Sequence, residues 1–179
     1  MEEQIFIAGF GGQGVVLAGN LLAHAAMIEG KHILGMVSYG AEMRGGASHS
    51  FVIISNEEID CPIIDRATIG FALSQEAYDK FRNKTRDDGI LFVNSSEVLR
   101  IEPKKTSGEI VLIPASQIAK EMGNAKVANM IMIGAMLART GILKLDSAKK
   151  ALAKVFRNEK KSLLYINEQA LQAHSRLNG

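Results

Sequence analysis

The sequence predicts a three-layer α/β fold, with a mixed, mostly parallel sheet and a helical C-terminal part. Three observations carry this. Apolar runs of strand length recur through the first 115 residues, an almost wholly apolar helix falls between the first two of them, and the segments after Ala115 all read as helix. At 179 residues and 47% hydrophobic content, the chain is expected to form one domain, residues 1–179, with a sizeable core.

Residues 4–8, QIFIA, read as a buried strand that runs into GFGGQG at 9–14. A helix is expected from about Gly14 to Glu29, apolar almost all round and therefore laid on a sheet. Its polar exceptions, Asn20 and His24, are four apart and share an edge, which reads as hydrogen-bonding within the protein or at a contact. ILGMVS (33–38) is the second strand, so the chain opens strand–turn–helix–strand, a Rossmann-like start. YGAEMRGGASHS (39–50) holds three glycines and no period, which marks a loop.

SFVII (50–54) is a strand, and IDCPII (59–64) a short edge segment because Pro62 cannot donate to a ladder. ATIGFAL (67–73) is a strand and SQEAYDKF (74–81) a helix capped by Ser74. TRDDG reads as a turn before the strand GILFVN (89–94), and GEIVLIPA (108–115) is the last strand. SQIAKEMG is a short helix. KVANMIMIGAMLART is an apolar one in which Gly134, Ala135 and Ala138 permit close backbone approach and the methionines read chiefly as core. LDSAKKALAKVF takes Asp146 as its N-cap and Ala148, Leu152, Val155 and Phe156 as its apolar stripe; KKSLLYINEQALQAHSRL is the final helix.

Charge and composition narrow the function. A net charge of +2 does not call for nucleic acid or an anionic membrane. Lys144, Lys149, Lys150, Lys154, Arg157, Lys160 and Lys161 lack interleaved aromatics and read as a solvated helix face. No apolar run reaches the length of a membrane span, and MEEQIFIAGF enters a strand at once instead of forming a signal peptide, so a cytoplasmic protein is expected. Cys61, the one cysteine, reads as a packed thiol. It cannot hold a cluster or structural zinc by itself, and His24, His32, His49 and His174 have no ligand spacing. No metal site is expected, and any redox metal falls to a partner. Ser48 and His49, adjacent on a strand, face opposite ways and make no dyad, so no catalytic residue is assigned.

Gly9, Gly11 and Gly14 satisfy G-x-G-x-x-G. Such a turn suits an anion, because backbone N–H groups can approach it and the helix adds its positive end. A dinucleotide site also wants an acid at the tip of the second strand, which here reads Val37–Ser38–Tyr39, with Glu29 lying before the strand. The phosphate-binding lysine is likewise absent, since Val15 and Val16 follow Gly14. A free-standing NAD(P)- or flavin-binding oxidoreductase is therefore the alternative reading. Gln13 has two: contact with a ligand or neighbouring subunit, or a local cap. In the second loop Arg44 offers a planar fork for carboxylate or phosphate, beside Tyr39, Glu42, Gly45 and Gly46. Both loops follow strands, so in a parallel sheet they are expected to converge on one edge.

With GFGGQGVVLAG and VSYGAEMRGGASHSFVIIS, the sequence closely resembles the gamma subunit of the 2-oxoacid:ferredoxin oxidoreductases acting on 2-oxoglutarate, branched-chain 2-oxoacids or pyruvate. The likeness continues through SQEAYDKF, the NSS at 94–96 and ANMIMIGAML. It implies a non-redox component, inactive alone, in an enzyme that decarboxylates a 2-oxoacid, reduces ferredoxin and forms acyl-coenzyme A. The resemblance places thiamine diphosphate between alpha and beta subunits and iron–sulfur clusters in beta or delta. It further implies that this chain packs on the catalytic subunits and helps form the coenzyme A side. The implied contact residues are Gly11, Gly12, Gln13 and Gly14 with Tyr39, Glu42, Arg44, Gly45 and Gly46. Whether Arg44 meets a phosphate or a partner's carboxylate is open at this point.

Overall fold

The computed structural model describes residues 2–38, 47–61, 65–102, 108–157 and 161–173. Among them the strands are β1 (Glu2–Phe10), β2 (His32–Ser38), β3 (Ala47–Ser55), β4 (Ala67–Ala72), β5 (Thr85–Asn94) and β6 (Glu109–Ile113). The helices are α1 (Val15–Ile28), α2 (Gln75–Phe81), α3 (Ala115–Glu121), α4 (Ala128–Thr140), α5 (Leu145–Val155) and α6 (Lys161–Gln172).

The strands form one sheet in the order β2-β3-β1-β4-β5-β6. β1, β4, β5 and β6 pair in parallel, while β3 runs antiparallel to both β1 and β2. β2 therefore points the same way as β1 without touching it. The connection 39–46 is too short for a parallel crossover, which needs a dozen residues or more, so β3 returns beside β2 and takes the slot next to β1. The mixed, mostly parallel sheet and helical C-terminal part are as expected.

Side chains alternate across the strands and separate two faces. Ile5, Ile7, Val52, Ile54, Ile69, Phe71 and Phe92 join α1 and α3 to α6 in the main core. On the other face Phe6 and Ala8 meet Ala77 and Phe81, and Leu91 and Val93 meet Tyr78, so α2 forms the third layer. Met130, Met132 and Met136 are fully buried, which makes them core. Gly134 is needed where α4 crosses α6: a Cβ there would lie 2.0 Å from the Leu171 carbonyl oxygen. Ala138, by contrast, faces solvent.

Ser74 caps α2, its hydroxyl accepting from the Ala77 N–H at 3.3 Å. Asp146 does not cap α5. Lys144 holds the N-cap position without a side-chain bond, and Asp146 sits in the first turn, where its charge still opposes the helix dipole favourably. TRDDG is strand rather than turn. β5 begins at Thr85, and its register against β4 slips between the Ala67–Thr85 and Ile69–Ile90 pairs, leaving Arg86, Asp87 and Asp88 exposed on the extra length. Cys61 is exposed rather than packed, and residues 59–61 join no strand; Pro62 lies outside the described residues. Lys144, Lys150, Lys154, Arg157 and Lys161 are solvent-facing, as a solvated helix face requires; Lys149 is half-buried and Lys160 lies outside the described residues. No described helix is long and apolar enough to cross a membrane.

Candidate functional site at the carboxyl edge of the sheet

The glycine turn joins β1 to α1 where the chain leaves the sheet for one face; after β4 it leaves for the other, into α2. The carboxyl ends of β1 and β4 therefore bound a topological switch point, the usual crevice for ligands in such sheets. Gln13 ties its two sides together. Its Oε1 accepts from the Phe10 N–H at 2.7 Å and its Nε2 donates to the Leu73 carbonyl at 3.0 Å. The turn is closed further by the Gln13 N–H on the Phe10 carbonyl at 3.1 Å. The Gln13 side chain thus bonds within the protein, one end to its own turn and the other to the residue after β4.

Gly14 is left-handed (φ 71°, ψ 32°) and heads α1 with no side-chain cap of its own. Its carbonyl accepts from the Asn129 amide at 3.2 Å, and Asn129 in turn accepts the Met130 N–H at 2.9 Å. Gly11 and Gly12 are exposed, and among the described residues a Cβ on either would meet nothing within 4 Å. The turn thus has a braced inner side and an open outer one.

Sequence reasoning assigned no site role to the residues that do the bracing. Buried Asn94 donates to the Ser116 hydroxyl at 2.9 Å and reaches the Leu73 carbonyl at 3.5 Å, while the Ser116 N–H donates back to Asn94 at 3.3 Å. Asn129 is only 3% exposed. Their signal was available: each is a polar residue at the end of an apolar strand or the start of an apolar helix, where a buried amide needs a specific partner.

Ser48 and His49 point to opposite faces, as expected. The Ser48 hydroxyl approaches the Gly9 carbonyl at 3.5 Å, whereas the His49 ring packs among Phe6, Phe51 and Phe81 with centroids 5.2–5.6 Å apart. The pairings Phe10–Ala47, Gly9–Ser48 and Ser38–His49 bring both strands that flank the second loop to the glycine-turn edge. Tyr39, Glu42, Arg44, Gly45 and Gly46 themselves lie outside the described residues. Because β3 intervenes, the tip of β2 stands two strand spacings, about 10 Å, from β1. An acid there would sit beyond the first neighbour of β1, unlike the ribose-binding acid of a dinucleotide fold.

The opposite edge carries most of the charge pairing. Arg66, before β4, is held above its usual pKa chiefly by its hydrogen bond to Asp87, and Arg82, after α2, by its bond to Glu102. A cavity of about 420 Å³ also lies at the amino ends of the strands, lined by Glu3, Thr68, Arg86, Asp88 and Arg139 among others. Arg139 there pairs with Glu109, and Arg86 with Asp88. Among the described residues no three His, Cys, Asp or Glu side chains gather as metal ligands.

Comparison with known proteins places this architecture. The sequence profile described as Pyruvate ferredoxin/flavodoxin oxidoreductase matches residues 4–176. The chain belongs to that family. The 2-oxoglutarate synthase subunit KorC of Methanocaldococcus jannaschii is 38% identical over 154 residues, 85% of this chain and 82% of KorC. Ketoisovalerate oxidoreductase subunit VorA of Methanothermobacter marburgensis is 37% identical over 174 residues, 96% of this chain but 36% of VorA.

Within the same family, the solved gamma subunit of a keto/oxoacid ferredoxin oxidoreductase from Geobacter sulfurreducens PCA aligns with a TM-score of 0.83 at 34% identity over 99% of both chains. A 2-oxoglutarate:ferredoxin oxidoreductase from Magnetococcus marinus, solved with 2-oxoglutarate, coenzyme A and succinyl-CoA bound, aligns with a TM-score of 0.89 at 25% identity. That alignment covers 98% of this chain and 31% of the other. The unit is thus a separate subunit in some relatives and about a third of a longer chain in others. Membership of this family leaves the free-standing dinucleotide enzyme without support.

Proposed function

We propose that the chain is the gamma subunit of a multi-subunit, thiamine-dependent 2-oxoacid:ferredoxin oxidoreductase of the cytoplasm. In this reading residues 1–179 act as one unit that packs on alpha and beta subunits, with or without a delta subunit, and turns its glycine edge toward coenzyme A. Thiamine diphosphate and the iron–sulfur clusters belong to the partners, and ferredoxin is met by the complex. The chain supplies a surface and no catalytic group.

The observation that carries the coenzyme A assignment is the open space over Gly11 and Gly12 beside the start of α1. Coenzyme A is a polyphosphate ligand, and exposed glycine amides at a helix N-terminus suit its charge. With the Gln13 amide engaged internally, contact falls to the backbone of Gly11, Gly12 and Gly14, with Tyr39, Glu42, Arg44, Gly45 and Gly46 from the neighbouring loop.

Gly11→Asp tests this, because a Cβ at that position meets no described atom within 4 Å. In the assembled enzyme a carboxylate facing a phosphate is expected to raise KM for coenzyme A at least about tenfold, with KM for the 2-oxoacid unchanged. An unaltered KM for coenzyme A would overturn the assignment.

A further inference from the structure

We infer that Asn129 is a positioning residue for the glycine turn, holding the Gly14–Val15 peptide so that its N–H points out of the start of α1. The inference rests on the coenzyme A reading above. Gly14 lacks a side chain, sits in a left-handed conformation and has no side-chain cap, so only bonds to its backbone can hold its peptide. Two donors fix it. The Ala18 N–H reaches the Gly14 carbonyl at 2.9 Å as the first helical bond, and the Asn129 Nδ2 reaches it at 3.2 Å from α4.

In a planar trans peptide the carbonyl of one residue and the N–H of the next point in opposite directions. Fixing the Gly14 oxygen toward α1 and α4 therefore aims the Val15 N–H the other way, out of the start of α1. Asn129 is itself immobilised. It is buried, its Oδ1 accepts the Met130 N–H at the start of α4, and its Nδ2 fills the place a Gly14 Cβ would take, 2.3 Å from that ideal position. The first amide of α1 is thus aligned by a side chain more than a hundred residues away, on a helix that stands outside the turn.

Asn129→Asp keeps the volume and the acceptor for Met130 but removes the donor to Gly14; Asn129→Ala removes all three. In the assembled enzyme both are expected to raise KM for coenzyme A roughly three- to tenfold, the worth of one hydrogen bond, with kcat within about twofold and KM for the 2-oxoacid unchanged. A purely packing role predicts a wild-type KM for coenzyme A in Asn129→Asp, and that result would overturn the inference. So would equal losses for both substrates, or a fall in kcat alone. Gly11→Asp, run in parallel, separates the failures. If it raises KM for coenzyme A while the Asn129 variants do not, the positioning role falls alone; if it too leaves KM unchanged, the coenzyme A reading falls with it.

Discussion

Gln13 shows how a single side chain at the mouth of a turn can serve the fold. Its amide stands at the mouth of a glycine turn, yet both ends are spent on backbone, at Phe10 and Leu73. The consequence is a stability prediction. Gln13→Ala removes two hydrogen bonds from a half-buried site and leaves the Leu73 carbonyl to Asn94 alone. It is expected to cost about 1–2 kcal/mol, read as a lower midpoint in urea unfolding of the chain. An unchanged midpoint would mean that these two bonds do not hold the turn to β4. The G-x-G-x-x-G spacing was legible because it is local. The destination of the Gln13 amide was not, because its second partner lies sixty residues further along.

At the scale of elements, most strands and helices follow from pattern. The Ser74 cap is local chemistry, written in one residue and the N–H three positions later. Two features escaped. Arg86, Asp87 and Asp88 are extra residues in a strand set by its pairing with β4, so their charge imitates a turn. Asp146, expected to cap α5, lies two residues past the cap, in the first turn, because Lys144 holds the N-cap position.

The contact of α4 with α6 was visible only as permission, in the small residues of GAML. The structure spends that permission at Gly134, whose missing Cβ admits the Leu171 carbonyl. Gly134→Ala should force α6 away and destabilise the chain by about 1–3 kcal/mol despite its better helix propensity, and a denaturant titration decides the sign. A gain in stability would mean that α6 is not held against α4 in this way.

Across the whole molecule the asymmetry is between a braced interior and an open edge. Among the described residues five helices share one core with the sheet, while α2 and the segment carrying Val98 and Ile101 cover the other face. With no catalytic side chains assigned, the isolated chain is expected to show no coenzyme A-dependent oxidation of any 2-oxoacid. Recovered from its native source, it should co-elute with thiamine-binding and cluster-bearing subunits identified by mass. Turnover by the chain alone, or its elution without partners, would remove it from the role of gamma subunit.

The sequence by itself determined the elements, the glycine turn at the carboxyl end of the first strand, and the family through paired glycine motifs. These depend on residues close together in the chain, where periodicity and turn chemistry are sufficient. Only the tertiary structure decided that β3 separates β2 from β1, that the Gln13 amide reaches the end of β4, that Asn94 pairs with Ser116, and that Asn129 reaches the Gly14 carbonyl. Sheet order and buried hydrogen bonds join residues twenty to more than a hundred positions apart. Their partners are selected by the packing of whole layers, and no local pattern carries that choice.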